Sequence, residues 1–336
     1  MANNIFKGKT ILVTGGAGSI GSQIVRDVLK QNPKTIRIFE RSESAHFRLG
    51  QELKSEKIRH LVGDVCDVER VSHAMDGVDV VFHAAAMKHV PLCEYNPFEA
   101  VRTNIIGTQN LVDAARKHKI ERFISISTDK AVNPTSTMGA TKLLGEKIVT
   151  NAAISEKNVK FCCVRFGNVL ASAGSVIPVF EKQIRDGDTI TVTSDEMTRF
   201  FMGIDDAVRL VLNASQMANL GEIFILKMNA LKVIDLAHVL IEELAPRHGK
   251  DPKKIKIKII GLRPGEKLHE PLITEEEARY MTEQDGMFVL HNIALLPYVK
   301  ELPTNKKEKI FSYNSGNMRH LSQKEIKKML ASKNII

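Results

Sequence analysis

The 336-residue sequence contains no tryptophan, few aromatic residues (5%) and only four cysteines. The cysteines (Cys66, Cys93, Cys162 and Cys163) show no CxxC spacing, so we expect reduced thiols rather than disulfides or a metal site. No apolar run approaches the roughly 18 residues of a membrane-spanning helix. The first residues also lack the apolar core of a signal peptide. These absences predict a cytoplasmic protein without a membrane span.

The formal net charge is +9, and lysine-rich stretches such as 250–258 and 306–309 contribute to it. A nucleic-acid partner is not expected, because no basic motif is interleaved with aromatic residues. A basic surface does attract anionic small molecules. The charge is therefore compatible with a small anionic substrate.

A glycine-rich turn follows the first apolar run. Residues 10–14 (TILVT) predict a buried strand, and GGAGSIG at 15–21 comes directly after it. Glycines here permit a tight turn and close approach of the backbone to a pyrophosphate, which the next helix faces with its N-terminus. We therefore predict that a dinucleotide binds at Gly15, Gly18, Ser19, Ile20 and Gly21.

The end of the second predicted strand bears on the choice of cofactor. Glu40 occupies this end, where an acid accepts the ribose hydroxyls of NAD and repels a 2′-phosphate. Arg41 and Ser42 come next and suit the 2′-phosphate of NADP, so we predict NAD with NADP as the alternative. Later segments add predicted cofactor contacts at Asp64, Val65, Ala84, Ala85, Ala86 and Asn104. A helix cap at Asp64 and a purely structural amide at Asn104 are the alternatives.

Strands and helices alternate about six times up to residue 166, which predicts an α/β fold with a Rossmann-type, doubly wound parallel sheet. The pattern then changes to a loop and short helix (167–182), a strand (189–193) and a loop (198–202). A helix at 204–217 and a strand at 221–227 rejoin the first domain. We predict a cofactor domain of residues 1–166 plus about 203–228. A smaller, discontinuous C-terminal substrate domain takes residues 167–202 plus about 229–336.

Chemically capable residues gather where the fifth predicted strand, 122–128, ends. Thr128, Asp129 and Lys130 lie there, and ligands of open parallel sheets bind beyond the carboxyl ends of the strands. A helix capped by Ser136 or Thr137 is predicted next. Its Met138 and Lys142 lie four residues apart and share one face. We predict that the reaction takes place at this strand end.

Three segments resemble the UDP-N-acetylglucosamine 4,6-dehydratases of the extended short-chain dehydrogenase/reductase superfamily. They are 85–91 (AAMKHVP), 127–134 (STDKAVNP) and 165–170 (RFGNVL), and RPGEK at 263–267 agrees with them. The resemblance implies oxidation of the sugar at C4 by NAD, elimination of water across C5 and C6, and return of the hydride to C6. It also implies a homo-oligomer (dimer or hexamer) that serves glycan or polysaccharide biosynthesis.

One position departs from the superfamily pattern. Met138 replaces the catalytic tyrosine four residues before Lys142, and a thioether cannot relay a proton. By resemblance, Asp129 protonates the leaving C6 oxygen, Lys130 removes the C5 proton, and Lys142 holds the nicotinamide ribose. The group that takes the C4 hydroxyl proton is left open among Thr128, Asp129 and a water held by the ribose. Desolvation must outweigh the Asp129–Lys130 ion pair if these roles hold, because the pair pushes both pKa values the other way.

The resemblance also indicates where the UDP-sugar binds. Lys88 is a candidate substrate contact, and the UDP moiety is implied to lie against Asn168, Val169, Ser172, Gly174, Ser175, Val176, Arg199, Arg263 and Glu266. Two rival functions stay open. A UDP-N-acetylhexosamine 4-epimerase shares the hydride step but normally needs the missing tyrosine. A non-catalytic NAD(P)-binding regulatory protein has no use for the Asp129–Lys130 pair.

Overall fold

The computed structural model describes residues 4–172, 174–298 and 312–336. Its helices are α1 Ser19–Leu29, α2 Glu43–Leu53, α3 Val68–Met75, α4 Val90–Tyr95, α5 Pro97–Val101, α6 Gly107–Lys117, α7 Thr137–Ser155, α8 Val176–Asp186, α9 Ile204–Met217, α10 Val233–Leu244, α11 Glu275–Ala278 and α12 Gln323–Ser332. Its strands are β1 Thr10–Thr14, β2 Thr35–Glu40, β3 Ile58–Val62, β4 Val80–His83, β5 Arg122–Thr128, β6 Lys160–Phe166, β7 Asn168–Val169, β8 Thr189–Val192, β9 Thr198–Met202, β10 Ile223–Leu226, β11 Asn229–Lys232, β12 Lys256–Ile259, β13 Pro271–Ile273, β14 Met281–Gln284, β15 Met287–Leu290 and β16 Tyr313–Asn314. None of the described helices combines the length and apolarity needed to cross a lipid bilayer.

The main sheet has nine strands in the order β14-β15-β10-β6-β5-β4-β1-β2-β3. The strands from β3 through to β10 pair in parallel, whereas β15 and β14 are added antiparallel. The order 3-2-1-4-5-6 is that of a doubly wound Rossmann sheet, whose ligands bind where the strand order reverses, here between β1 and β4. The predicted fold class is confirmed.

The sheet forms because its central strands are apolar on both faces. All five residues of β1 are buried, as are six of the seven residues of β6, which is the pattern of strands covered by helices on both sides. Helices α1 and α9 pack against each other, and α3, α6 and α7 pack side by side. At the start of α7, the Ser136 hydroxyl accepts a hydrogen bond from the Gly139 N–H at 3.2 Å, which decides between the two predicted caps.

Smaller sheets lie outside the main one: β11-β9-β7, β12-β8 and β13-β16. A second hydrophobic core, which contains Phe180, Leu240 and Ile326, joins α8, α10 and α12. The prediction of a loop at 198–202 was wrong, because all five residues of this segment are buried and it pairs with β7 and β11 as β9. The hairpin of β14 and β15 belongs to the residues predicted for the substrate domain. Its apolar strand β15 is buried against β10 and extends the main sheet.

Candidate active site

The glycine-rich turn after β1 lies against the loop that follows β4. Gly15 has a left-handed backbone (φ 63°), and a Cβ there would lie 2.7 Å from the backbone of that loop. A Cβ on Gly21 would lie 2.2 Å from the carbonyl oxygen of Gly15. Only glycine fits at both positions. Gly18 then precedes the first turn of α1, which begins with Ser19 and Ile20. This is the arrangement of a pyrophosphate-binding turn.

Glu40 ends β2, and its carboxylate turns back onto its own loop. Its Oε1 accepts hydrogen bonds from the backbone N–H groups of Arg41 at 2.9 Å and Ser42 at 3.1 Å. The Ser42 hydroxyl in turn accepts from the Ala45 N–H at 3.3 Å and caps α2. The choice between ribose hydroxyls on Glu40 and a 2′-phosphate on Arg41 and Ser42 stays a prediction.

Asp64 and Val65 follow β3. The Asp64 Oδ1 accepts a hydrogen bond from the Cys66 N–H at 2.9 Å, so it caps a turn. The cap of α3 is Asp67, which rules out a helix cap as the explanation of Asp64. Val65 is buried in the core of the main sheet. Contact of either residue with the adenine ring stays a prediction.

Sequence reasoning missed a buried histidine at the end of β4. His83 Nδ1 lies 2.8 Å from Thr14 Oγ1, and Nε2 lies 3.0 Å from Thr108 Oγ1. Thr108 donates its own proton to the Asn104 carbonyl oxygen at 2.7 Å, so it accepts from Nε2. Burial lowers the pKa of His83 to about 3, and the ring is neutral at pH 7. The signal available in the sequence was a polar residue, His83, at the end of an apolar strand. The ring fixes the start of the loop that carries Ala84, Ala85 and Ala86.

Asn104 lies on a π-helical turn, Arg102–Ile106, and such turns are frequent at functional sites. Its Oδ1 accepts from the Met87 N–H at 2.8 Å, and its Nδ2 donates to the Met87 carbonyl and to Thr141 Oγ1, both at 3.0 Å. The amide therefore ties the loop after β4 to α7. Its direct contact with a cofactor stays a prediction.

Asp129 and Lys130 form an ion pair at the carboxyl end of β5. The Asp129 Oδ1 accepts from Thr128 Oγ1 at 2.8 Å and from Lys130 Nζ at 2.9 Å. Asp129 is fully buried, and its Oδ2 has no hydrogen-bond partner within the described chain. Lys130 Nζ also lies 3.5 Å from Asn168 Oδ1, which belongs to β7. The structure thus brings these four predicted site residues together.

The charges around Lys130 bear on the role that the resemblance assigns to it. Burial alone would lower the pKa of Lys130, but the charges of Asp129 and Glu270 outweigh it, and the pKa lies above the ordinary value. The condition set by the assigned roles, that desolvation outweigh the ion pair, is therefore not met at Lys130 in this structure. The sequence indicated only the Asp129 carboxylate beside Lys130, and the fold brings that of Glu270 near it as well. Lys130 carries its proton in this arrangement.

Met138 and Lys142 have separate surroundings on α7. Met138 is 3% exposed and packs in a small apolar cluster with Cys93 and Ala100. Lys142 donates from Nζ to the Ile126 carbonyl oxygen at 2.6 Å, and burial lowers its pKa. The thioether therefore contributes packing, while the amine is held against the backbone of β5.

A cavity of about 200 Å³ opens beside Lys130. Five predicted site residues line it: Lys130, Asn168, Arg199, Arg263 and Glu266. Two charged residues that were given no role from the sequence, Lys267 and Glu270, line it as well. Lys267 directly follows the RPGE residues and Glu270 comes three positions later, which was the available signal. The cavity thus joins the carboxyl end of β5 to the 263–270 segment.

Arg199 in β9 holds the 263–270 segment in place through hydrogen bonds to its backbone. Its guanidinium donates to the carbonyl oxygens of Thr198 at 2.7 Å and of Leu268 and Lys267 at 3.0 Å and 2.7 Å. Its Nη2 lies 3.9 Å from Glu266 and 4.0 Å from a carboxylate oxygen of Glu270. Arg199 therefore positions the loop, and its contact with a diphosphate stays a prediction.

The remaining predicted substrate residues lie beyond the lining of this cavity: Lys88, Val169, Ser172, Gly174, Ser175 and Val176. Gly174 has φ 71°, and a Cβ there would lie 2.5 Å from the His89 ring. The loop before α8 therefore adjoins the loop that carries Lys88. The Ser175 hydroxyl is buried and has no hydrogen-bond partner in the described parts of the chain.

Comparison with known proteins gives a consistent family. Residues 11–292 match the polysaccharide biosynthesis protein family. The chain is 54% identical over 330 residues to an uncharacterized membrane protein of Methanocaldococcus jannaschii, covering 98% of this chain and 97% of that one. It is 39% identical over 335 residues to an inverting UDP-N-acetylglucosamine 4,6-dehydratase of Campylobacter jejuni, covering 96% and 97%. It is also 38% identical over 344 residues to a UDP-glucose 4-epimerase of Rickettsia canadensis, covering 99% and 98%.

Among solved structures, Pen from Bacillus thuringiensis has 42% sequence identity and a TM-score of 0.92, covering 99% of both chains. The Rossmann sheet and the matched residues place the chain in the extended short-chain dehydrogenase/reductase superfamily. The protein belongs to the polysaccharide biosynthesis protein family. The resemblance drawn from residues 85–91, 127–134 and 165–170 is confirmed.

Proposed function

We propose that the protein is a UDP-N-acetylglucosamine 4,6-dehydratase that forms a UDP-4-keto-6-deoxy-N-acetylhexosamine for glycan or polysaccharide biosynthesis. The observation that carries the proposal is the ion pair of the buried Asp129 with Lys130, hydrogen-bonded at 2.9 Å beside a cavity. Elimination across C5 and C6 needs an acid and a base at the sugar, and simple hydride transfer does not. The identity to a dehydratase, 39% across nearly the whole chain, supports the same reaction.

NAD, when bound, would supply the acceptor for the C4 hydride and the donor that returns it to C6. The residues present fit it. Gly15 and Gly21 leave room for a pyrophosphate at the start of α1, and Glu40 stands at the strand end that meets the ribose hydroxyls. Lys142 holds the nicotinamide ribose.

Lys130 removes the C5 proton once its own ammonium proton has passed to Asp129, whose Oδ1 lies 2.9 Å from Lys130 Nζ. The C4 hydroxyl proton passes to Asp129 or to a water held by the ribose, because Met138 cannot take it. Asp129 protonates the leaving C6 oxygen.

The UDP moiety lies in the cavity between Asn168 and the 263–270 segment. Arg199 and Arg263 supply positive charge for the diphosphate, and Glu266 takes ribose hydroxyls. Lys88 and the loop before α8 complete the site from the opposite side.

A UDP-N-acetylhexosamine 4-epimerase is the second candidate, and the 38% identity to a UDP-glucose 4-epimerase favours it. Met138 counts against this function, since an epimerase normally uses the tyrosine that Met138 replaces. The Asp129–Lys130 pair counts against it as well.

Mass spectrometry of UDP-N-acetylglucosamine incubated with the purified protein and NAD tests the proposal. A product lighter by one water is expected, and it should be absent with Lys130→Gln. Conversion to an isomer of unchanged mass would support the epimerase instead.

A further inference from the structure

Lys267 is a largely buried lysine that the proposed mechanism does not use. Its side chain is 14% exposed, and it lines the cavity together with Lys130. Burial lowers the pKa of Lys267, because the ammonium group loses hydration there, whereas the carboxyl groups of Glu270 and Asp129 raise it. Burying an ammonium group is costly unless it finds partners. The partners of Lys267 therefore indicate what this side chain does.

The Lys267 Nζ donates a hydrogen bond to the Val132 carbonyl oxygen at 2.6 Å. Val132 in turn donates its backbone N–H to the Asp129 carbonyl oxygen at 3.1 Å, which closes the turn formed by residues 129–131. This turn carries Asp129 and Lys130, the pair assigned to the elimination. The ammonium group of Lys267 therefore holds the end of the turn on which both of these side chains stand.

A second hydrogen bond joins the same two parts of the chain. The Thr135 hydroxyl donates to the Gly265 carbonyl oxygen at 3.0 Å. Gly265 has φ 76°, and a Cβ there would lie 3.1 Å from the Cβ of Ser136, so the two backbones run close together. The loop after β5 and the 263–270 segment are therefore joined at two points, with one donor from each of them.

The backbone of the 263–270 segment has supports of its own. Arg199 donates to the carbonyl oxygens of Lys267 and Leu268 at 2.7 Å and 3.0 Å. The Glu266 Oε2 accepts from the Arg263 N–H at 3.2 Å, and the Glu266 N–H donates to the Arg263 carbonyl oxygen at 3.0 Å. These contacts do not involve the Lys267 side chain. Loss of the Lys267 ammonium group therefore leaves the proposed UDP contacts in place and releases only the turn.

We infer that Lys267 is a positioning residue that fixes the spacing between the UDP end and the reacting end of the substrate. The inference rests on the proposed dehydratase function, which places UDP on the 263–270 segment and the sugar beside Asp129 and Lys130. A sugar held by its nucleotide meets this pair in a productive orientation only if the turn keeps its distance from that segment. An error of about 1 Å in such positioning costs on the order of 100-fold in rate. Lys267 acts through the Val132 carbonyl and takes no part in proton transfer.

Lys267→Met tests this role, because it keeps an unbranched side chain and removes the donor. Initial rates with NAD and UDP-N-acetylglucosamine give kcat and KM, and calorimetric titration with UDP alone gives the affinity of the nucleotide site. Lys256→Met, on an exposed lysine of β12, is the matched control. Lys267→Arg keeps a charged donor and serves as the conservative variant.

We expect Lys267→Met to lower kcat by about 10- to 100-fold, while the affinity for UDP changes by less than about threefold. Lys267→Arg should recover part of the lost turnover, and Lys256→Met should match the wild type. A merely structural role would instead weaken UDP binding together with turnover. Either that joint loss or an unchanged kcat in Lys267→Met would overturn the inference.

Hydrogen exchange with UDP bound tests the contact without any turnover. The Val132 amide should exchange faster in Lys267→Met than in the wild type, because the turn has lost its anchor, while the amides of α9 keep their rates. Thr135→Val removes the second contact and should give a smaller change in the same direction. Equal exchange at Val132 in Lys267→Met and wild type would overturn the inference. A wild-type protein that forms no product would overturn the proposed function itself, and the exchange rates would still decide whether Lys267 holds the turn.

Discussion

Arg165 of β6 and Glu146 of α7 form a buried two-point ion pair, with Nε to Oε1 at 3.0 Å and Nη2 to Oε2 at 2.7 Å. The same guanidinium donates to both carboxylate oxygens of Glu277 at 3.2 Å and 3.0 Å, and to the Leu272 carbonyl at 2.8 Å. Arg165 therefore joins the helix that carries Lys142 to the segment that follows the cavity wall. The cofactor side and the substrate side of the site are held together by this network.

Glu146→Gln should lower the free energy of unfolding by about 3–5 kcal/mol, because removing one partner of a buried ion pair leaves the other uncompensated. Urea unfolding at pH 7 measures the loss. The exposed Glu275→Gln should change stability by no more than about 0.5 kcal/mol. A loss from Glu146→Gln no larger than that of this control would mean that Glu277 alone satisfies Arg165.

His83 should make the fold sensitive to mild acid. Its pKa is lowered from 6.5 to about 3 by burial, so the unfolded chain binds a proton at a higher pH than the folded one. This contribution to stability is complete above the unfolded value and is lost as the pH falls from about 6.5 towards about 3. Urea unfolding between these limits should show a shallower decline for His83→Gln than for the wild type. Equal declines would contradict the assignment.

Glu40 should decide between the two nicotinamide cofactors. Glu40→Gln removes the charge that repels a 2′-phosphate and weakens a charge-assisted bond to the ribose, which is worth about 1.5–3 kcal/mol. The preference for NAD over NADP should therefore fall about tenfold or more. Calorimetric titration with each cofactor measures this ratio. The exposed neighbour Glu43→Gln should leave it unchanged, and an unchanged ratio in Glu40→Gln would refute the role.

Restoring the superfamily tyrosine should not improve the enzyme. Met138 is buried against Cys93 and Ala100, so Met138→Tyr overpacks this cluster and should cost about 1–3 kcal/mol of stability. Met138→Leu conserves volume and should cost less than about 1.5 kcal/mol, with turnover retained. Stability and initial rates of both variants are the measurements. Faster turnover by Met138→Tyr at unchanged stability would mean that position 138 faces the sugar.

The sequence was sufficient to predict the elements formed by local patterns. The glycine-rich turn, the α/β alternation and the strand-end residues Asp129 and Lys130 follow from adjacent residues. The cavity does not, because it joins distant segments: Lys267 Nζ donates to the Val132 carbonyl oxygen, 135 positions away. The charge state of Lys130 was missed for the same reason, since Glu270 reaches it only through the fold. The division into two domains, the homo-oligomer and the cytoplasmic location stay predictions.

Proton NMR of the purified protein with NAD and UDP-N-acetylglucosamine in deuterated water tests the central claim most directly. We expect a new C6 methyl signal beside a 4-keto or hydrated sugar, with deuterium at C5, and the C5 coupling pattern will give the configuration of the product. Growth of UDP-N-acetylgalactosamine signals without a methyl group would contradict the dehydratase function and favour the epimerase.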